Sequence, residues 1–293
     1  MSPPRHTRPH PSDNGSSRNG SLGFPRLQEP RYSQSLERGL AILGCFTPER
    51  SVLGLAEIAD ELRLSRSTTH RYVITLFALG YLEQEASRRY RLGSRVTDLG
   101  MSALNATGLR KHAHPYLEEL RRETSYTVNL AVLDGTEIVY VDRVRSYRRG
   151  QSKIDLGLAL GSRMPAYCTA LGKVLLANLP EREQGELLAS MKLTQRGPNT
   201  ITSKSALRVE LEPIREEGFA VNDQELAEGL HSIAVPVRNE AREVVAAVNL
   251  AAHTSMISLE ELVDALRPHL VSTADRISSL LGYRSDHELA RSR

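Results

Sequence analysis

The sequence predicts an α+β chain in two parts, and three observations carry that prediction. Residues 33–93 hold three short helical stripes followed by a basic pair of strand-like segments around a turn. From residue 109 onward helices alternate with strands, the latter marked by alternating or near-continuous apolar residues over 127–144, 230–238 and 243–252. Positive charge, finally, gathers on one stretch of the first part instead of spreading over the chain. A length of 293 residues suffices for two domains with their own cores.

Composition narrows the class. A hydrophobic share of 40% and a charged share of 25% are those of an ordinary soluble protein. No apolar run approaches the roughly 18 residues of a membrane span, and residues 1–32 lack the hydrophobic segment of a signal peptide. Cys45 and Cys168 are the only cysteines and form no CxxC pair, which excludes a disulfide framework or a zinc knuckle. The expectation is a cytoplasmic protein with no membrane partner, no cofactor and no metal.

The net charge of +3 conceals an uneven distribution. Residues 1–32 carry five arginines against Asp13 and Glu29, and include six of the 14 prolines; they read as a disordered tail. Residues 33–62 are acidic by −3, whereas 63–95 hold seven arginines against Glu83 and Glu85, a balance of +5. A focus of that kind is what a phosphate-facing surface requires.

Taken in order, Leu36, Leu40 and Leu43 with Ile42 mark a first helix. "LAEIADEL" (55–62) gives a second, with Leu55, Ile58, Ala59 and Leu62 on one side. Two residues later Ser65 is placed to cap a third helix. Its expected buried face is Thr69, Val73, Leu76 and Leu79, which leaves Arg66, Ser67, His70 and Arg71 open in its first two turns, with Ser65 and Thr68 beside them. In a helix-turn-helix such early residues meet base edges in the major groove, where arginine bonds guanine bidentately. "GYLEQEASRRYRLG" (80–93) follows as a hairpin with Tyr90 and Leu92 inward and Arg88, Arg89 and Arg91 available to phosphate, which makes the set a winged helix-turn-helix. Residues 94–108 read as a linker helix.

The second part, 109–282, opens on a helix with Pro115 suited to its first turn. Two strands over 127–144 turn at Asp134-Gly135. A strand near 151–160 leads through "GSRMP" into the helix "AYCTALGKVLLANL", then helices at about 181–191 and 204–217 and strands at 219–222, 230–238 and 243–252. A last helix is capped by Ser258 and Glu261 and bent by Pro268, before a tail over 283–293. Strands with helices on the faces of a sheet indicate a sensor-type domain.

Enzyme motifs are scarce. "LGKV" around Lys173 lacks the glycine and the hydroxyl of a phosphate-binding loop, and Gly157 and Gly161 make no dinucleotide fingerprint. His112 and His114 lack a third metal ligand, and with no tryptophan there is little to stack single-stranded bases on. Cys168 and His231 form the one conceivable nucleophile–base pair, so the alternative to a regulator is a cysteine enzyme with the winged helix as a protein-interaction module. The loop "GSRMPAYCTALGK" (161–173) brings Ser162, Arg163, Thr169 and backbone N–H groups to a helix start, either an anion site or a tight connection with Arg163 exposed.

These stretches resemble the IclR-type transcriptional regulators over nearly all of residues 33–282. The likeness lies in "QSLERGLAIL", "LAEIADELRLSRSTTHRYVITLFALGYLE", "YRLGSRVTDLG", "TALGKVLLA" and "GFAVNDQELAEGLHSIAVPVRN". It implies an N-terminal winged helix on double-stranded operator DNA and a GAF-like C-terminal domain that binds a small effector. It further implies a homodimer or dimer of dimers, with RNA polymerase as a further partner. The stretch 154–177 is most similar to the branch controlling the β-ketoadipate pathway, the PcaR, PcaU and PobR type, which implies a small aromatic or dicarboxylic acid effector. The pocket expected from this resemblance and from the loop comprises Asn129, Ser162, Arg163, Thr169, Asn222, Asp223, His231, Ser232 and Asn249. Asn222 and Ser232 stand where many members have aspartate and cysteine. Loss of that carboxylate is expected to favour an anionic effector.

Overall fold

The structure, a computed structural model, describes residues 32–47, 50–105, 108–147 and 156–284. It divides into two compact units, one ending at Met101 and the other beginning at Ser102. Of the expected tails, 1–32 and 283–293, all but Tyr32, Tyr283 and Arg284 lie outside the described residues, as do residues 106–107 of the linker segment.

In the first unit α1 (Gln34–Gly44) is capped by Ser33, and α2 (Leu55–Leu62) ends at Arg63 in the left-handed conformation. That reversal leaves only Leu64 before Ser65, whose hydroxyl accepts from Thr68 N at 3.2 Å and starts α3 (Arg66–Ala78). The wing is the antiparallel pair β1 (Leu82–Gln84) and β2 (Tyr90–Leu92), in register at Leu82↔Leu92. Ile42, Leu53, Ile58, Val73, Leu82 and Tyr90 form one small core. Two expected inward residues are not inward. Leu79 caps the C-terminal end of α3 and is 53% exposed, because the helix has passed beyond its partners there. Leu92 is 37% exposed, since the short wing seats only Leu82 and Tyr90 in the core. Helix α4 spans Ser94–Asn105.

The second unit opens with α5 (Leu109–Thr124), which starts earlier than expected, so Pro115 lies in its interior. Six antiparallel strands follow in the order β5-β4-β3-β8-β7-β6: β3 (Thr127–Asp134), β4 (Glu137–Val144), β5 (Arg163–Pro165), β6 (Ala220–Asp223), β7 (Leu230–Arg238) and β8 (Val244–His253). The strand expected near 151–160 is not present in its described portion, 156–160; the pairing to β4 falls on Arg163–Pro165 instead. A 3-10 turn (Ala166–Cys168) leads into α6 (Ala170–Ala177), followed by α7 (Glu181–Ser190) and α8 (Lys204–Glu217). At the end, Ser258 caps α9 (Leu259–Glu261), a π-helical turn covers Leu262–Leu266, and α10 (Arg267–Leu280) resumes with Pro268 in its first turn.

Alternation gives the sheet two faces. One packs Val128, Leu130, Ile233, Val235, Val248 and Leu250 with Leu117 and Leu120 of α5 and Leu270 and Ile277 of α10. The other packs Ala131, Tyr140, Ala234, Ala247 and Ala251 with α6, whose residues are buried all round. Gly172 permits that close seating: a Cβ there would lie 2.1 Å from the Ala166 carbonyl oxygen. Even Lys173 of α6 is 1% exposed, bonded to Glu225 at 2.6 Å and Glu210 at 2.8 Å. No described helix is long and apolar enough to cross a membrane.

Candidate nucleic-acid interface and candidate effector face

The front of α3 sorts its donors by exposure. Ser65 and the half-buried Thr68 are spent on each other: besides the cap, Ser65 Oγ donates to Thr68 Oγ1 at 2.8 Å. Thr69, fully buried, returns its hydroxyl to the Ser65 carbonyl. Arg66, Ser67, His70 and Arg71 remain exposed, and the helical spacing of 66 with 70 and of 67 with 70 and 71 puts them on one side.

The wing departs from expectation. Arg89 Nη2 donates to the Val52 carbonyl at 2.8 Å and lies 2.9 Å from Glu57 Oε2, and Arg91 is held by Glu83 at 2.7 Å. Both charges are therefore already countered within the unit. Arg88, at the turn with φ +59°, has no carboxylate partner among the described residues; the same holds for Arg63, Arg66, Arg71 and Arg95. Five of the seven arginines of 63–95 thus remain to offset phosphate.

The expected anion site at residues 161–173 does not assemble. Arg163 is 45% exposed and lies across the β3–β4 hairpin, 2.8 Å from Glu137 and 2.5 Å from Asp134, which hold its guanidinium in the charged form. Ser162 Oγ accepts from Ala159 N, and Thr169 Oγ1 accepts from Gly172 N at 3.0 Å as the cap of α6. Ser162 and Thr169 thus bond within the connection itself, and Arg163 bonds to the β3–β4 hairpin. Asn222, fully buried, donates to the Cys168 carbonyl at 2.6 Å and accepts from Glu225 N at 3.3 Å. Its amide is a tie between β6 and the turn before α6.

Strand register separates the remaining residues. His231 and Asp223 pair across β7 and β6 on the α5/α10 face, 3.1 Å apart, with His231 Nδ1 at 3.2 Å from the Ile257 carbonyl. Asn129, Asn249 and Ser232 stand on the opposite face. Asn129 and Asn249 are directly paired, and Asn129 Nδ2 donates to Asn249 Oδ1 at 2.8 Å. Among the described residues Asn129 Oδ1 has no hydrogen-bond partner although it is buried, and Ser232 is buried beside it on the same face. If both amides are turned the other way round, the pair still leaves one oxygen and one NH₂ unmatched.

Two residues on this face were not anticipated. Arg143 is in register with Asn129 and half-buried, and Tyr140 is in register with Ala131. Burial pushes the Tyr140 hydroxyl up to about 12, against the opposing charge of Arg143. The alternation of "EIVYVDRV" hinted at both, but a β-bulge between Leu130 and Ala131 shifts the phase, so Asp142 faces α5 and Arg143 the other side. Asp142 there is 2.7 Å from His114.

Cys168 and His231 do not meet. His231 is on the far face of the sheet, and burial pushes the Cys168 thiol up to about 12, away from a reactive thiolate.

Comparison with known proteins agrees with this arrangement. Residues 35–86 match the IclR helix-turn-helix domain, and residues 101–279 match the bacterial transcriptional regulator IclR C-terminal domain. The Pca regulon regulatory protein of Pseudomonas putida is 33% identical over 246 residues, spanning 84% of this chain and 83% of the relative. The p-hydroxybenzoate hydroxylase transcriptional activator of Acinetobacter baylyi is 34% identical over 253 residues, spanning 85% and 92%. An IclR homolog from Microbacterium hydrocarbonoxydans, solved with 4-hydroxybenzoate, superposes with a TM-score of 0.75 at 26% identity, over 84% of this chain and 98% of that one. A helix-turn-helix with an open donor face, a six-stranded sensor-type domain and these matches over both units place the chain in the IclR family of transcriptional regulators.

Proposed function

We propose that this regulator controls genes of aromatic-acid catabolism and answers to a small aromatic acid bound on the α6 face of its sheet. The observation that carries the reading is the Asn129–Asn249 pair, buried yet with hydrogen-bonding capacity left over. A buried polar atom without a partner costs about 1–3 kcal/mol, so an amide pair of this kind calls for a ligand that both donates and accepts. A hydroxyl does so, and Ser232 and Tyr140 add further hydroxyls on the same face. Arg143 supplies a cation for a carboxylate. Support for the ligand class comes from the 4-hydroxybenzoate held by the Microbacterium homolog and from the p-hydroxybenzoate hydroxylase activator among the relatives.

In this reading Arg66, Ser67, His70 and Arg71 read operator bases and Arg88 contacts phosphate. The chain works in the cytoplasm as a dimer or dimer of dimers, with residues 94–108 as the linker between domains 33–93 and 109–282, and acts on RNA polymerase at the promoter. It catalyses no reaction. At pH 8 a thiol with a pKa of about 12 is ionised to about one part in ten thousand, so iodoacetamide is expected to spare Cys168 until the chain unfolds.

Calorimetric titration of 4-hydroxybenzoate and protocatechuate into wild type and Asn129→Ala tests the site. Binding weakened about 10-fold or more by the substitution is the expected result, equivalent to a charged or buried hydrogen bond. Binding of either acid with unchanged affinity in the variant would remove this face from consideration, and binding of neither would remove the ligand class.

A further inference from the structure

The wing of a helix-turn-helix is ordinarily taken as a set of cations for phosphate, and Arg89 sits in the most basic run of this chain. Its surroundings give it another task. Immediately before α2 the chain runs beside the wing: Leu53 and Tyr90 exchange two backbone hydrogen bonds, of 2.9 and 2.8 Å, so Leu53 adds a third strand position to the hairpin. Tyr90 and Leu53 are both buried, which fixes this junction from within.

From the outside it is closed by side chains. Arg89, next to Tyr90, donates to the Val52 carbonyl at 2.8 Å and reaches both carboxylate oxygens of Glu57, at 2.9 and 3.3 Å. Glu57 lies in the first turn of α2, and its Oε2 also accepts from Gly54 N at 2.7 Å. One carboxylate therefore caps the scaffold helix and grips the wing. The hairpin end is separately closed by Glu85 N to the Arg89 carbonyl at 2.9 Å and Arg88 N to the Glu85 carbonyl at 2.9 Å, which leaves Arg88 at the tip and Arg89 at the root.

We propose that Arg89 is a positioning residue, which through Glu57 sets the placement of the wing relative to α2 and α3, and that it is not a phosphate ligand. A guanidinium already engaged by a carboxylate and a carbonyl would have to abandon both to reach DNA. Its net charge is countered in place, so it adds little to the field that phosphate meets. The pair is solvent-exposed on both sides, 44% and 45%, so its effect on fold stability is small and its effect on geometry is the quantity to read.

The two roles predict opposite signs for one substitution. Glu57→Gln frees Arg89. If Arg89 were a phosphate ligand restrained by Glu57, its release would tighten DNA binding and steepen the salt dependence. If the pair is a clamp, binding weakens. The experiment uses the full chain and two fluorescent duplexes, one selected by the chain from a random pool and one of random sequence, titrated across salt.

Glu57→Gln and Arg89→Ala are each expected to weaken the selected duplex about 2- to 5-fold, the scale of an exposed ion pair, and the double variant no further. The slope against log salt stays at the wild-type value in both, whereas Arg88→Ala lowers it by about 0.9. Arg89→Lys, which keeps a partner for Glu57, recovers part of the loss. Tighter binding by Glu57→Gln, a slope reduced by about 0.9 in Arg89→Ala, additive losses, or no loss in either single variant would each overturn the proposal. Should Arg89→Ala not fold, the sign of the Glu57→Gln effect still decides it.

Discussion

The front of α3 and the Asn129–Asn249–Ser232 strip both set short polar side chains beside a guanidinium, in opposite surroundings. On α3 Arg66, Ser67, His70 and Arg71 are exposed, so water can satisfy each donor. On the sheet Asn129, Asn249 and Ser232 are 3%, 5% and 4% exposed, and water is largely excluded. Exposed donors cost nothing to keep and reveal their purpose only through their common side and the nearby charge. Buried ones must be matched, and an atom left unmatched, such as Asn129 Oδ1, is the basis on which a ligand is proposed here. Not every buried polar group has that meaning. Lys173, Asn222 and Thr169 are buried too, but their hydrogen bonds run to the protein itself and hold α6 to its neighbours.

The largest test of this contrast is Lys173→Ala. It leaves Glu225, whose carboxyl is already pushed up by burial, without its closest cation. A loss of about 3–5 kcal/mol is expected in denaturant unfolding, as for other broken buried pairs. A loss well under 1 kcal/mol would show that the α6 face is wetter than its burial indicates, and would weaken the reading of Asn129 as well.

Asn222→Asp comes next. It replaces the donor to the Cys168 carbonyl by a carboxylate facing a carbonyl oxygen, in a fully buried position. Destabilisation of about 2–4 kcal/mol is expected with no ligand present. An unchanged melting temperature with weakened acid binding would instead return Asn222 to the effector site.

Arg66→Ala and Arg71→Ala probe the exposed side. Each should lose about 1–3 kcal/mol on a selected duplex and far less on random DNA, if the contact is bidentate to a base. Equal losses on both would assign phosphate contact only. Melting temperature should not move, because neither side chain is buried.

Arg163→Ala is the smallest expected effect. Its two ion pairs are exposed, and about 0–1 kcal/mol of stability is at stake, with acid binding unchanged. Acid binding weakened several-fold in this variant would restore the loop at 161–173 as the anion site and break the contrast.

Much of this protein follows from its sequence because the governing interactions span only a few residues. Ser65 caps α3, "LAEIADEL" is α2, Lys204–Glu217 is α8, and the alternation of 230–238 is β7, all by contacts within a turn or a pleat. The common exposed side of Arg66, Ser67, His70 and Arg71 on α3 follows from helix spacing alone. Even the separation of His231 from Ser232 was implicit in the sequence, since adjacent strand residues point to opposite faces.

What only the tertiary structure decided is which partner each long or amide side chain takes. Arg163 finds Asp134 and Glu137, 29 and 26 residues back, and Asn222 finds Cys168, 54 residues away. Arg89 finds Glu57 across 32 residues, and the bulge at Leu130 turns Arg143 onto the face that holds Asn129. Residue type specifies that such a group must bond, but the choice among many possible partners is made by strand order, register and the seating of α6. A hydrogen-bond donor in sequence is therefore a capacity, and the fold determines whether it is spent on the protein or kept for a ligand.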